Sequence, residues 1–217
     1  MSTSSPEPPK LSHAAAAVRV VCGLVLTGAV GGVLWAWLAP PVHTLVALTK
    51  KGQRIHGYFG DEADRVFLGA ALAVGFLSVI AVVGAVLVWQ WRAHRGPLMV
   101  AALTIGGIGA AGALAGVGAA LAHWRYGAVN IDAVPVTHEH RVAYLVEAPP
   151  VLFGHSPALV AVTLMFPAGL ATLLYAMCAL ATKRDDLDAW PPVEHVRPEV
   201  VAPGVDAVDT GVRSADQ

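Results

Sequence analysis

Charge is what this sequence has least of. Only 13% of its 217 residues are Asp, Glu, Lys or Arg, roughly half the ~25% of an ordinary soluble domain. Because 56% are apolar, the chain cannot cover a water-facing surface with charge, and a lipid-facing surface is the simpler account. The net charge of −1 comes without any window rich in Lys and Arg. That argues against nucleic acid as a partner, since phosphate binding rewards a clustered basic face. Cysteine is nearly missing too. Cys22 and Cys178 lack metal-ligand spacing and lie in apolar stretches. No disulfide framework follows, and both are expected to act as small core residues.

The signatures of common chemistry are missing as well. There is no GxSxG elbow, P-loop, HExxH or dinucleotide fingerprint. Ser156 beside His155 reads as a helix cap, not as a catalytic pair. No catalytic residue and no cofactor are assigned, and a non-enzymatic role is expected. The interiors of the long apolar runs carry no ionisable group, which proton or ion transport would need. Their polar atoms come only from Thr27, Ser78, Thr104, Thr163, Thr172, Tyr175 and the backbone near Pro167.

What is present is four long apolar runs. A hydrocarbon core about 30 Å thick takes about 20 apolar residues of helix, and helices are predicted near 17–39, 65–91, 97–124 and 157–182. Pro97 after Gly96, and Pro157 after Ser156, suit first helical turns, where a missing N–H costs nothing. Pro40-Pro41 ends the first run, and Pro167 is expected to kink the fourth. Trp35 and Trp37, Trp89 and Trp91, then Trp124 and Tyr126 close the first three runs, as headgroup-level aromatics would. The first run is read as uncleaved, because Trp37 is too large for the small-x-small site ahead of Pro40.

Basic residues set the expected orientation. Arg92 and Arg95 fill the short second connection, Lys183-Arg184 follow the fourth run, and Lys10 and Arg19 precede the first. The opposite face carries Lys50, Lys51, Arg54, Arg65, Arg125 and Arg141, so the asymmetry is modest. It is mainly the shortness of the Arg92–Arg95 connection that, under the positive-inside rule, leads both termini to be expected in the cytoplasm. Loops 40–64 and 125–156 fall outside. Val42–Thr49, a Gly-containing turn and Arg54–Phe59 read as a hairpin, and Arg141–Glu147 as a third strand that would steady it. The fold class expected is an all-α membrane protein, a four-helix transmembrane bundle under a small extracytoplasmic β cap built from both loops. Asp61, Glu62 and Asp64 suit the start of the second helix, where acids oppose the dipole. Residues 1–16 and the acidic, cytoplasmic 183–217 read as disordered tails.

Two constellations remain. His138-x-His140, with His155, His43, His56 and Glu139 on the same side, could gather imidazoles around Zn or Cu. Solvated loop histidines are the commoner case, so no metal is assigned and His138, His140 and His155 stand as weak candidates. The second constellation is glycine. Gly28-x-x-x-Gly32 in the first helix and Gly112-x-x-x-Gly116 in the third are expected to let helices approach closely. The third helix, with Gly106, Gly107, Gly109 and Gly118 besides, is expected to be central.

Several blocks carry a resemblance. They are Val86-Leu87-Val88-Trp89-Gln90-Trp91-Arg92-Ala93-His94-Arg95-Gly96-Pro97, Trp124-Arg125-Tyr126-Gly127, Glu147-Ala148-Pro149-Pro150 with Phe153-Gly154-His155, and Arg184-Asp185-Asp186-Leu187 with Trp190-Pro191-Pro192. Over roughly residues 15–195 the chain resembles actinobacterial, largely mycobacterial, membrane proteins grouped as a domain of unknown function. The resemblance implies a four-span inner-membrane protein and transfers no catalytic residue. The expected role is an accessory or interaction protein of the cell envelope. Its surroundings would be the lipid bilayer and another membrane protein or a homo-oligomer. The alternatives are a small transporter or lipid-handling protein and, with less support, an extracytoplasmic metal-binding sensor.

Overall fold

Helices begin where the sequence supplies their caps. The computed structural model describes residues 11–49, 53–58, 60, 62–127, 142–154 and 156–182. The Ser12 side chain accepts the Ala15 N–H at 3.2 Å, so α1 spans His13–Leu38. It starts four residues before the predicted boundary, because Ala14 to Ala17 favour helix once a cap precedes them. Residues 13–16, expected in a disordered tail, are thus its first turn, and Arg19 lies within the helix rather than ahead of it. Helix α2 spans Glu62–Gln90, α3 Pro97–Tyr126 and α4 Pro157–Ala181. Ser156 caps α4 by accepting the Leu159 N–H at 3.3 Å. Gly96, ahead of Pro97, adopts φ 150°, a region L side chains avoid. All four helices are long and apolar enough to cross a membrane. The tail beyond 182 lies outside the described residues.

Strands β1 (Val42–Leu48), β2 (Arg54–Tyr58) and β3 (Val142–Glu147) form one antiparallel sheet in the order β2-β1-β3. Thr44 faces Tyr58 on one side and Leu145 on the other. The cap expected from two loops is therefore present, with the second loop contributing the third strand. Alternation along β1 buries Val42, Thr44 and Val46 and leaves His43 exposed.

Around the bundle the order is α1, α3, α4, α2, and the α1–α3 contact is the most extensive. Both run toward the sheet, so the tightest pair is parallel. Their seam is built of small residues. A Cβ on Gly28 would collide with the carbonyl oxygen of Ala110, and one on Gly32 would stand 2.7 Å from Leu114 O. On α3 the seam reads Ala102, Gly106, Ala110, Leu114, Gly118, Ala122, one residue every four, all buried. Trp35 closes it: a Cβ on Gly118 would meet the indole at 2.9 Å.

Three expectations need correction. Gly112 and Gly116 do not pack; both are exposed, with nothing within 4 Å of an added Cβ. They share their helix face with Ile105 and Ile108, which point outward at 61% and 39% exposure, and Gly106, Gly107 and Gly118 hold the contacts instead. Trp35 is not a headgroup aromatic but a fully buried core residue, while Trp37 and Trp124 are 79% and 86% exposed. Cys22 is exposed and Cys178 half-buried, so neither is core. Helix α4 continues through the buried Pro167. Its neighbour Ala168 approaches α3 so closely that a Cβ on Gly107 would lie 2.9 Å from the Ala168 backbone.

This geometry separates the two glycine pairs. Gly28→Val or Gly32→Val forces backbone apart and should destabilise by about 3 kcal/mol, the upper end for overpacking. Gly112→Ala and Gly116→Ala should be neutral or stabilise by up to about 1 kcal/mol through helix propensity. Denaturant unfolding in detergent micelles checks the contrast.

Candidate functional site

Where the sheet meets the bundle, three features converge on α2. Trp35 donates its indole N–H to Gly69 O at 2.7 Å. Pro149 and Pro150, following β3, lie directly on Gly69, where a Cβ would stand 3.1 Å from Pro150 O. Phe67 and Phe153 meet with ring centroids 5.5 Å apart. The 148–154 segment is thereby strapped across the helix.

Between this strap, the start of β1 and the upper half of α3 lies a cleft of about 550 Å³. Its space comes from small residues, Ala115 and Ala119, on α3. Among the described residues its walls are apolar apart from Glu147 and His123. A carbonyl can only accept, so the 2.8 Å contact of His123 Nδ1 with Ala119 O is an Nδ1–H donation. That tautomer leaves Nε2 as the ring's acceptor. Among the described residues no Ser, Thr, Cys, Lys or Arg lines the cleft, and this part of its wall suits an apolar group with a polar end. Thr44, buried beneath the sheet, has a hydroxyl with no hydrogen-bond partner among the described residues.

Beside the cleft, Glu62 ties β1 to the start of α2. Its carboxylate accepts the His43 backbone N–H at 3.1 Å and contacts His43 Nδ1 at 3.2 Å and Arg65 Nε at 3.5 Å. The His43 amide donor holds the Glu62 carboxyl below its ordinary value of 4.5; partial burial opposes this, and Arg65 and the His43 ring add to it. The acidic group read as a helix-start feature thus also fastens a strand.

Of the proposed metal candidates, His138, His140 and His155 lie outside the described residues. His56 sits in β2 opposite Val46, and His43 is engaged with Glu62. Among the described residues no group of three or more His, Cys, Asp or Glu could hold a metal.

The opposite end gathers Arg95 from the second connection, the span-end aromatics Trp89 and Trp91, and Tyr175 of α4 into one cluster. Arg95 stacks 4.0 Å above the Trp89 ring and donates to Trp89 O at 2.9 Å. Tyr175 meets Trp89 edge-on and accepts the Gly96 N–H at 3.1 Å. His94 is buried between the rings of His13 and Trp91, its Nε2 3.3 Å from Leu11 O. Only the Trp-rich composition of that loop hinted at such a cluster.

These features define a class: four helices of membrane-crossing length under a three-stranded sheet, with a cleft at their junction. Residues 24–189 match the family described as "Protein of unknown function (DUF2567)", and the chain belongs to it. The chain is 50% identical over 173 residues to the uncharacterized protein Rv1591 of Mycobacterium tuberculosis, covering 79% of this chain and 90% of that one. It is 51% identical over 170 residues to the uncharacterized protein ML1222 of Mycobacterium leprae, covering 78% and 86%. No solved structure matches. The resemblance to an actinobacterial family of unknown function is borne out.

A group whose folded-state pKa is depressed stabilises above its unfolded pKa and loses that contribution as pH falls through the folded one. Glu62→Gln should therefore lower thermal stability near neutral pH. The gap from wild type should close as pH drops below 4.5. Thermal scans of both proteins across that range test the sign; a gap that widens in acid contradicts it.

Proposed function

We propose that the protein is a multi-pass inner-membrane protein, both termini cytoplasmic, that serves as a non-enzymatic interaction partner of another envelope protein. The membrane reading is supported by the apolar outer surface of the helices. Gly and Ala line the seams around a few large buried residues such as Trp35, Leu77, Leu103 and Leu114, while Leu26, Val30, Val83, Leu87, Ile105 and Val162 stand outward, a surface that would associate in water. On this reading the sheet end is extracytoplasmic, because the short connection carrying Arg92 and Arg95 belongs to the other end.

The observation that carries the interaction role is the outward face of the sheet. Val142, Tyr144 and Val146 on β3 and Ile55 on β2 are 48%, 73%, 42% and 52% exposed. By register they stand on one face with His43, Leu45 and Ala47. A sheet that packs one face on the bundle normally shows polar residues on the other. Here the second face is apolar and aromatic apart from His43 at its edge, which turns to Glu62 of α2, and its apolar part resembles an interface core. A lipid-handling role is the second reading, favoured by the lateral groove between α1 and α2.

Two experiments check these readings. In a Cys22→Ala/Cys178→Ala background, a cysteine at Gln53 should be labelled by an impermeant maleimide in intact cells, and one at Arg92 only after permeabilisation; the reverse pattern inverts the topology. A photocrosslinker at Tyr144 in native membranes should give one discrete protein adduct, weakened about tenfold by Val142→Lys, the loss of roughly one hot-spot contact. Adducts to lipid alone would remove the interaction reading.

A further inference from the structure

The charged residue set deepest within a helix is Arg19. It lies six residues past His13, roughly 9 Å along the axis at 1.5 Å per residue, and is exposed on α1. The 26 residues of α1 measure roughly 39 Å, against a hydrocarbon core of about 30 Å. Centred in the bilayer, Arg19 would sit a few ångströms inside the boundary. From there the long side chain reaches the headgroup layer by snorkelling. No ion pair or hydrogen bond satisfies its guanidinium among the described residues.

Arg19 closes one end of a lateral groove of about 390 Å³ between α1 and α2, with Trp91 at the same end. The groove exists because α1 leans on α3 and leaves α2 at a distance. Leu24 forms the floor, its side chain 2.8 Å from where a Cβ of Gly84 would be. Every other wall is apolar. Even the Thr27 hydroxyl is turned away, donating to Gly23 O at 2.7 Å. From Val79 to Trp91 the α2 wall is roughly 18 Å long, close to the ~15 Å depth of one leaflet.

We infer that this groove binds one anionic glycerophospholipid, an acyl chain lying between α1 and α2 and the headgroup phosphate on Arg19. Charge decides the occupant. A neighbouring apolar helix would leave the guanidinium unanswered, whereas a lipid phosphate meets it at the depth where headgroups lie, beside an interfacial Trp. The inference rests on the membrane-spanning part of the proposed function and on nothing in the sheet.

The test uses the full chain in vesicles of phosphatidylcholine with a minor fraction of phosphatidylglycerol. Insertion is checked first, by resistance to alkaline extraction. Retained lipid is then counted by native mass spectrometry after detergent release. Wild type should hold one phosphatidylglycerol in preference to phosphatidylcholine by about fivefold, the factor for one basic residue near a membrane surface. Arg19→Gln should abolish the preference and Arg19→Lys should keep it. Gly23→Leu should exclude both lipids, since a Cβ at Gly23 meets nothing within 4 Å and projects into the groove without disturbing the fold. An inserted chain with no preference, or with a preference that Arg19→Gln leaves intact, overturns the lipid site alone. A chain that washes off the vesicles overturns the membrane reading and the site together.

Discussion

The contact on which the structure depends is the parallel seam between α1 and α3. Lipid tails are as apolar as leucine, so helices in a bilayer gain little from hiding apolar surface from one another. They gain from close atomic fit. Gly28 and Gly32 bring the α1 backbone against Ala110 and Leu114. At that separation the Trp35 ring lands over Gly118, and its N–H reaches Gly69 O on α2. Gly69 in turn receives the Pro149-Pro150 strap that runs on from β3. A side chain on the seam would move α1 from α3, lift Trp35 from Gly69, and loosen the segment walling the cleft.

Polar groups are divided accordingly. Between the helix ends, hydroxyls bond backwards onto their own helices: Thr27 to Gly23 O, Ser78 to Val74 O, Thr104 to Val100 O, Thr163 to Leu159 O and Thr172 to Ala168 O. Each is satisfied locally and none bridges two helices. Contacts between elements by polar atoms collect toward the two ends, through Glu62 and the Trp35 N–H on Gly69 O at the sheet end and Tyr175, Arg95 and His94 at the other. The middle of the bundle is held by shape and the ends by hydrogen bonds, as expected where unpaired polar groups are most costly away from water.

Much of this was legible in sequence. Helix ends declared themselves through Pro97, Ser156 and Pro157, because caps and prolines act locally, whereas the Ser12 cap was passed over and the start of α1 was placed four residues late. The hairpin and its third strand showed in β-branched alternation around a glycine turn. Which glycines pack was harder to read. In α3 the small residues recur on every face, so a four-residue spacing can be drawn in several registers. Gly112 and Gly116 form one, Gly106 and Gly118 another. The deciding signal was Ile105 and Ile108, large aliphatics on the same face as Gly112, which turn that face outward. Trp35 misled for a related reason: an indole near a span end suits a headgroup as well as a cavity, and only the distant Gly69 and Gly118 distinguish them. The cleft was not legible at all, since Ala115, Ala119, His123 and Glu147 converge only through tertiary packing.

The surroundings of Arg19 follow from the same seam. Because the small residues of α1 are spent on α3, its other flank meets α2 loosely, with Leu24 reaching across to Gly84 in place of a backbone contact. A four-helix ring with one tight parallel seam therefore has one open flank, and that flank is where the chain carries its most deeply set charge. An arginine at the open flank faces the acyl region at headgroup depth, whereas the same residue on the seam would leave the guanidinium buried among glycines. The charge and the gap thus lie on the same flank of α1. That shared placement makes the groove a better candidate for a built lipid site than for an accident of loose packing.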